Sequence, residues 1–300
     1  MKKYIYFAAA ALMLAACTND EMPEAADTDV ALKVNAAIEQ NTPTRASGTT
    51  WAANDKIGIT SVTTGTQTRY TNMPYLYNGT SFEAEGGDIY FQDTYEVTFN
   101  AYYPFSGTAG TSAGTVSVST AAIKQTAANQ PTIDFLFASG ATGSKGNPIV
   151  NFTGDAAFQH CMSQVTLTFK EGDDISFANN ALESYSLENI YLDGTFDTAT
   201  GKAEADATEA RKDLEILQPE TVSSVILLPQ DVASGRISLV VAVDGQYYYA
   251  MLMIPNGGKA LEPGCNYTWP VTVSKTGLSV GTAEIKDWTE VKGSDTAATM

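Results

Sequence analysis

The sequence predicts an all-β protein built of two β-sandwich domains in tandem. Three observations carry this. Short runs in which apolar and polar residues alternate with period two recur along the chain, separated by turn signals. From residue 46 onward no window keeps apolar residues at helical spacing over three turns. The 300 residues suit about two domains of ~150 residues, and many short strands with regular turns build sandwiches.

The elements follow in chain order. Met1-Lys2-Lys3 precedes an apolar run from Tyr4 to Leu14 and then Leu14-Ala15-Ala16-Cys17. The run is too short to remain a spanning helix, so residues 1–17 read as a secretory leader. Leu-Ala-Ala-Cys resembles the bacterial lipobox, so lipoprotein-processing machinery is expected to cut before Cys17 and acylate it. The mature chain is therefore expected to be exported and tethered at a cell surface through lipid on Cys17. Residues 18–45 read as a tether plus a first strand. Thr18 to Thr28 is polar and acidic, the composition of a disordered linker. Val30, Leu32, Val34, Ala36 and Ile38 then alternate with Ala31, Lys33, Asn35, Ala37 and Glu39, a strand with one buried face. Gln40 to Gly48 is a breaker-rich loop that presents Arg45, followed by Ala46.

The N-terminal sandwich is read as residues 46–174. Lys56 to Val62 alternates, and Tyr75-Leu76-Tyr77 and Ser81-Phe82-Glu83 flank Asn78-Gly79, a strong hairpin signal. Tyr95 to Tyr103 is a longer alternating run stopped by Pro104, and Ser106 to Gly114 reads as a flexible loop. Val165, Leu167 and Phe169 mark a further strand. The polar segment near Glu171 to Asn180 is taken as the domain boundary, and residues 175–291 as the C-terminal sandwich. Asp193-Gly194, Thr198 to Gly201 and Asp244-Gly245 are tight-turn candidates there. From Thr276 to Trp288, Leu278, Val280, Ala283, Ile285 and Trp288 form a terminal hairpin interrupted by Gly281. Residues 292–300 are a flexible tail.

Composition excludes several functions. The formal net charge is −17 with no dense basic patch, which argues against nucleic acid and against attachment to anionic lipid by charge. After the leader no apolar run approaches the ~20 residues of a spanning helix. Of the three cysteines, Cys161 and Cys265 remain once Cys17 is acylated. They either form one bridge or sit as small buried hydrophobes, and the second is expected because a chain of this size buries a sizeable core without staples.

No catalytic constellation is visible. The one histidine, His160, is followed by Cys161, Met162 and Ser163, but neighbours on a strand point to opposite faces, so His160 is read as structural at a domain seam. No metal site is expected, because His160 has no soft partner at ligand spacing. Glu83/Glu85, Asp173/Asp174 and Glu204/Asp206 read as solvated acidic pairs rather than calcium or glycosidase sites. The glycine-rich stretches lack a phosphate-loop Lys. No cofactor is implied. Trp51, Tyr70, Tyr75, Tyr77, Tyr102, Tyr103 and Tyr247 to Tyr249 are either sugar platforms or, as expected here, strand formers with polar tips.

These residues resemble those of the Bacteroidetes fimbrillins, subunits and accessory proteins of type V pili. The resemblance runs through Thr44-Arg45-Ala46, Trp51, Asn54 to Ile59 and Phe99 to Pro104. It continues through Phe158 to Val165, Leu227 to Gln230, Leu261 to Tyr267 and Ile285 to Trp288. It implies transthyretin-like sandwiches, a lipoprotein precursor, and an arginine-specific protease that cuts after the arginine following the first strand. Arg45 is the matching position. Assembly with other fimbrillin subunits would then proceed by donor-strand exchange. Asp20-Glu21 resembles the acidic surface-export signal of such lipoproteins, and a plain linker reads equally well. Asp197-Thr198-Ala199 and Asp295-Thr296-Ala297 resemble the O-glycosylation signal of these bacteria. The expected role is thus a non-enzymatic subunit of a cell-surface fimbria that contributes to adhesion. The alternative is a monomeric lipid-anchored protein binding glycan or a host protein.

Overall fold

A computed structural model describes residues 29–39 and 50–287. Eleven strands come from the first half: β1 (Val30–Ala31), β2 (Lys33–Ala36), β3 (Lys56–Ser61), β4 (Met73–Tyr77), β5 (Phe82–Ala84), β6 (Tyr90–Phe91), β7 (Val97–Tyr103), β8 (Thr115–Ser119), β9 (Leu136–Gly143), β10 (Ile149–Phe152) and β11 (Gln159–His160). The second half begins with β12 (Ser163–Glu171), β13 (Leu182–Ile190), β14 (Asp193–Asp197), β15 (Lys202–Ala205), β16 (Lys212–Leu217) and β17 (Val222–Leu227). It ends with β18 (Gln230–Asp231), β19 (Arg236–Val243), β20 (Gln246–Met253), β21 (Ala260–Leu261), β22 (Cys265–Ser274), β23 (Gly277–Val280) and β24 (Glu284–Asp287). The only helices among the described residues are short 3₁₀ turns, as expected of an all-β chain.

In the first half one eight-stranded sheet runs β10-β2-β5-β4-β3-β7-β9-β11. A tight turn closed between Ser144 and Asn147 joins β9 to β10, yet the two strands stand near opposite ends of that order. The sheet therefore folds back on itself. Its inner face buries Ile57, Ile59, Tyr75, Phe82, Phe91, Phe99, Val150, Phe152 and Phe158. The second half is a sandwich of two sheets, β17-β12-β22-β23 with β24 also on β22, and β16-β13-β19-β20. Trp269, Tyr267 and Leu167 of the first meet Tyr185, Leu239 and Val241 of the second in one core, the alternate residues of each strand facing in.

A third buried cluster joins the halves. β8 pairs with β14, which turns back onto β15. Phe196 of β14 stacks on Phe135 with ring centroids 4.5 Å apart and lies among Tyr102, Met162, Ile226 and Leu228. The irregular segment after β8 also stitches the halves. Gln125 Nε2 donates to Ile226 O (2.8 Å) and its Oε1 accepts from Ile226 N (2.9 Å), while Gln130 Nε2 donates to Ser224 O (2.8 Å). The outer edge of β17 is thereby occupied.

Several expectations need correction. Residues 163–171, assigned to the first domain, form β12, which pairs with β17 and β22 of the second sandwich. The polar stretch after Glu171 is a loop inside that sandwich, and core membership changes near Cys161 and Met162. Asp193-Gly194 is not a turn but the start of β14, in register with Ser119 and Val118. A Cβ on Gly194 would strike the Glu204 carbonyl, so close strand approach, not turn geometry, calls for glycine there. The terminal strands β23 and β24 do not pair with each other; both run antiparallel to β22, one beyond the other. The Asn78-Gly79 hairpin and the Asp244-Gly245 turn, with φ of 52° and 72° in the latter, occur as read.

Candidate functional site

The site is the seat of the first strand. β2 lies between β10 and β5, parallel to the first with Val34 opposite Val150, and touching the second only at Val34 opposite Phe82. β1 pairs antiparallel with β6. Period-two alternation puts Leu32, Val34 and Ile38 inward, and all three are at most 5 % exposed. They rest on Phe82, Phe91, Phe152 and Phe158. Backbone bonds hold the segment along its length: Leu32 N donates to Ile89 O (2.8 Å), Lys33 N to Pro148 O (2.9 Å), Ala37 N to Phe152 O (2.9 Å) and Glu39 N to Phe158 O (2.7 Å). Phe158 N donates back to Ala37 O (2.9 Å). On the β5 side a gap of about 360 Å³ opens between Leu32 to Asn35 and Ser81 to Ala84.

Trp51 closes the seat. Its Nε1 donates to Ala36 O (2.9 Å), and its ring meets Phe82, Tyr103 and Phe158 edge-on with centroids 5.1, 5.6 and 5.1 Å away. Tyr103 OH donates to Asp55 Oδ1 (3.0 Å), and partial burial raises the Asp55 carboxyl above its ordinary range. Ile89 N donates to Tyr75 OH (3.1 Å), and burial pushes that phenol up to about 12. Cys17, Arg45 and Ala46, the residues expected to carry lipid and processing, lie outside the described residues, as do Trp288 and the tail.

At the opposite end of the sequence, β23 and β24 form the outer edge of the second sandwich. Leu278, Val280 and Ala283 pack partly buried on its core, and Gly281 N donates to Pro270 O (2.9 Å) at the break between the strands. Ile285 stays 40 % exposed.

The remaining candidates sit in structural roles. His160 Nδ1 bonds Asp134 Oδ1 (2.8 Å), with both side chains almost fully buried at the joint between the halves. Sequence reading missed Asp134, 26 residues away, because only the β9–β11 pairing brings it close. Cys161 is a buried thiol outside any disulfide, so it does not bridge to Cys265, and burial pushes it up to about 12. A thiol so raised stays protonated at neutral pH and is a poor nucleophile. Among the described residues no group of three His, Cys, Asp or Glu is placed to hold a metal ion. Glu85 pairs with Lys56, Glu204 with Lys202, and Glu83 accepts from Asn78 Nδ2 (2.7 Å). Thr198 Oγ1 donates to Gly114 O (2.9 Å). Most of the aromatics are core residues; Tyr247 and Tyr249, 66 % and 71 % exposed, are not.

The described residues thus form an all-β chain whose first strand is inserted between two other strands of a larger sheet. The sequence pattern of the fimbrillin-like family matches residues 44–288, and the chain belongs to that family. It is 31 % identical over 308 residues to a Bacteroides uniformis protein described as "Putative fimbrium subunit Fim1C", covering 98 % of this chain and 97 % of that protein. It resembles the crystal structure of a "putative cell adhesion protein" from Bacteroides ovatus with TM-score 0.68 and 28 % identity, over 88 % of this chain and 98 % of that one. The tip fimbrial protein Mfa3 of Porphyromonas gingivalis shares the fold at TM-score 0.55 and 13 % identity, over 87 % of this chain and 100 % of that one. Membership in this family gives the chain a fimbrial structural or adhesive role at the cell surface. No helix among the described residues is long and apolar enough to cross a membrane.

Proposed function

We propose that this chain is a fimbrial subunit that polymerises by strand donation after its first strand is cut away. The precursor travels as a lipoprotein anchored to the outer membrane through Cys17. An arginine-specific protease cuts between Arg45 and Ala46, in a loop whose Pro43 and Gly48 flank no apolar anchor. The observation that carries this reading is the position of β2, inserted between two other strands instead of lying on an outer edge. Loss of residues 29–39 would leave the near edge of β10 without a ladder partner and Phe82, Phe91, Phe152 and Phe158 facing water. An apolar floor beside unpaired backbone is a template for another chain's strand. The incoming strand is the C-terminal segment of a neighbouring subunit, β23 and β24, which sits on an outer edge of its sheet. Its Leu278, Val280, Ala283 and Ile285 would replace Leu32, Val34 and Ile38, each large side chain contributing roughly 1.5–3 kcal/mol.

Limited trypsin digestion of the folded precursor, followed by unheated detergent gels, tests this. Cleavage after Arg45 should yield high-mass ladders, and truncation after Ser274 should abolish them while the domains stay folded. Ladders that persist without residues 275–300 would rule out C-terminal donation, and cut protein that stays monomeric would rule out strand exchange.

A further inference from the structure

The family assignment does not account for the outer face of β20. Among the described residues the strand Gln246–Met253 pairs only with β19, which makes it the last strand of its sheet, and β23 of the facing sheet lies close to it. Tyr248 and Leu252 face the core. Tyr247, Tyr249, Met251 and Met253 face out and are 66 %, 71 %, 48 % and 55 % exposed. These make one continuous stripe, because alternate residues of a strand share a face. Across the ladder Tyr249 stands opposite Val240 and Tyr247 opposite Ala242, both buried, while Met251 stands opposite Ser238. Proteins ordinarily blunt a terminal strand with charge or proline. Here eight consecutive residues contain neither, in a chain of net charge −17.

We infer that this stripe is a self-association surface on which a second copy of the chain docks about a two-fold axis. Charge decides the occupant. Copies this acidic repel one another over most of their surface, and the β20 stripe is a place where two can meet without opposing like charges. The ends of the stripe differ in sign. Arg236, opposite Met253 in the ladder, is exposed at one end. Asp244 and Glu183, whose Oε2 accepts from Gly245 N (3.3 Å), are exposed at the other. A two-fold axis near Tyr249 runs the copies antiparallel, which brings the Arg236 end of each toward the Asp244 and Glu183 end of the other. An isologous contact repeats that complementarity twice. In it, methionine sulfurs and tyrosine rings of the two copies come together, a favourable pairing of polarizable groups.

The test is sedimentation velocity of the full chain over a wide concentration range. Every sample carries Arg45→Ala, so that strand exchange after cleavage contributes nothing. The expected result is a reversible monomer–dimer equilibrium, weakened at least ~30-fold by Tyr249→Lys with Met251→Lys. Both positions are exposed, so the variant keeps its fold, checked by its circular dichroism melt. Arg236→Glu alone should weaken the dimer about tenfold, and Arg236→Glu with Glu183→Arg should recover it. The proposal is overturned if the parent protein stays monomeric throughout, or if the lysines leave association unchanged. It is overturned in favour of a carbohydrate platform if a monomeric parent binds oligosaccharides and Tyr249→Lys abolishes that binding.

Discussion

Replacing Leu32 by Ala should loosen the first strand without unfolding the rest of the molecule. Leu32 is 4 % exposed and packs in the core of the N-terminal sheet. Truncating a leucine in a close-packed core removes about 2–5 kcal/mol. The strand meets β5 at one register position and borders a gap of about 360 Å³, so the site relaxes easily and the lower part of that range, ~2–3 kcal/mol, applies. At 1.4 kcal/mol per factor of ten, the population with the strand lifted out rises roughly thirty- to hundred-fold. Hydrogen exchange reads this at the amides of Lys33, Ala37 and Glu39, whose acceptors are Pro148 O, Phe152 O and Phe158 O. They should exchange faster by that factor, while Leu239 and Val241, buried in the second sandwich, keep their protection. Equal acceleration of both groups would refute the argument, because it would mean the strand leaves only with global unfolding. So would unchanged exchange at Lys33, Ala37 and Glu39.

Three further outcomes follow from the packing. Trp51→Ala removes the bond to Ala36 O and three ring contacts, and should lower the denaturant-derived stability of the first half by about 3–5 kcal/mol; a change below about 1 kcal/mol would show that Trp51 does not close the seat. Gly201 has φ +72° and a Cβ there would run into the Phe137 ring, so Gly201→Ala should destabilise by about 1–3 kcal/mol, read as a lowered thermal midpoint. Burial raises Tyr75 and Tyr185 to about 12 from an ordinary value near 10. Their neutral forms therefore favour the folded state at pH below 10, and that contribution is lost as pH rises from 10 to 12; Tyr185→Phe should flatten the fall in thermal midpoint across that window, and an unaltered slope would contradict the assignment.

Local signals made the strands legible. Alternation marked the inward faces of Leu32, Val34 and Ile38 and of Val165, Leu167 and Phe169, and the sequence Asn78-Gly79 marked a hairpin. Pairing between distant segments was not legible. Period two identifies a strand but not its neighbour, so β12 was placed with the preceding half although its partners are β17 and β22. The same limit hid the β8–β14 pairing that joins the halves, and turned Asp193-Gly194 into a turn when close packing against Glu204 explains the glycine. The seat was half visible: the strand could be read, but its parallel insertion beside β10 depends on residues more than 110 positions away, as in the Asn35–Asn151 side-chain bond with |i−j| of 116. Trp51 stood out as an aromatic, yet its role as the cover of Ala36 arises only where Phe82, Tyr103 and Phe158 converge.

The central claim is that the first strand is a removable occupant of its slot. The N-terminal residue of the protein recovered from assembled fimbriae tests it most directly. N-terminal sequencing or intact mass should show a chain beginning Ala46-Ser47-Gly48, without residues 29–39. Fimbriae whose subunits still begin at an acylated Cys17 and retain Val30 to Ile38 would contradict it.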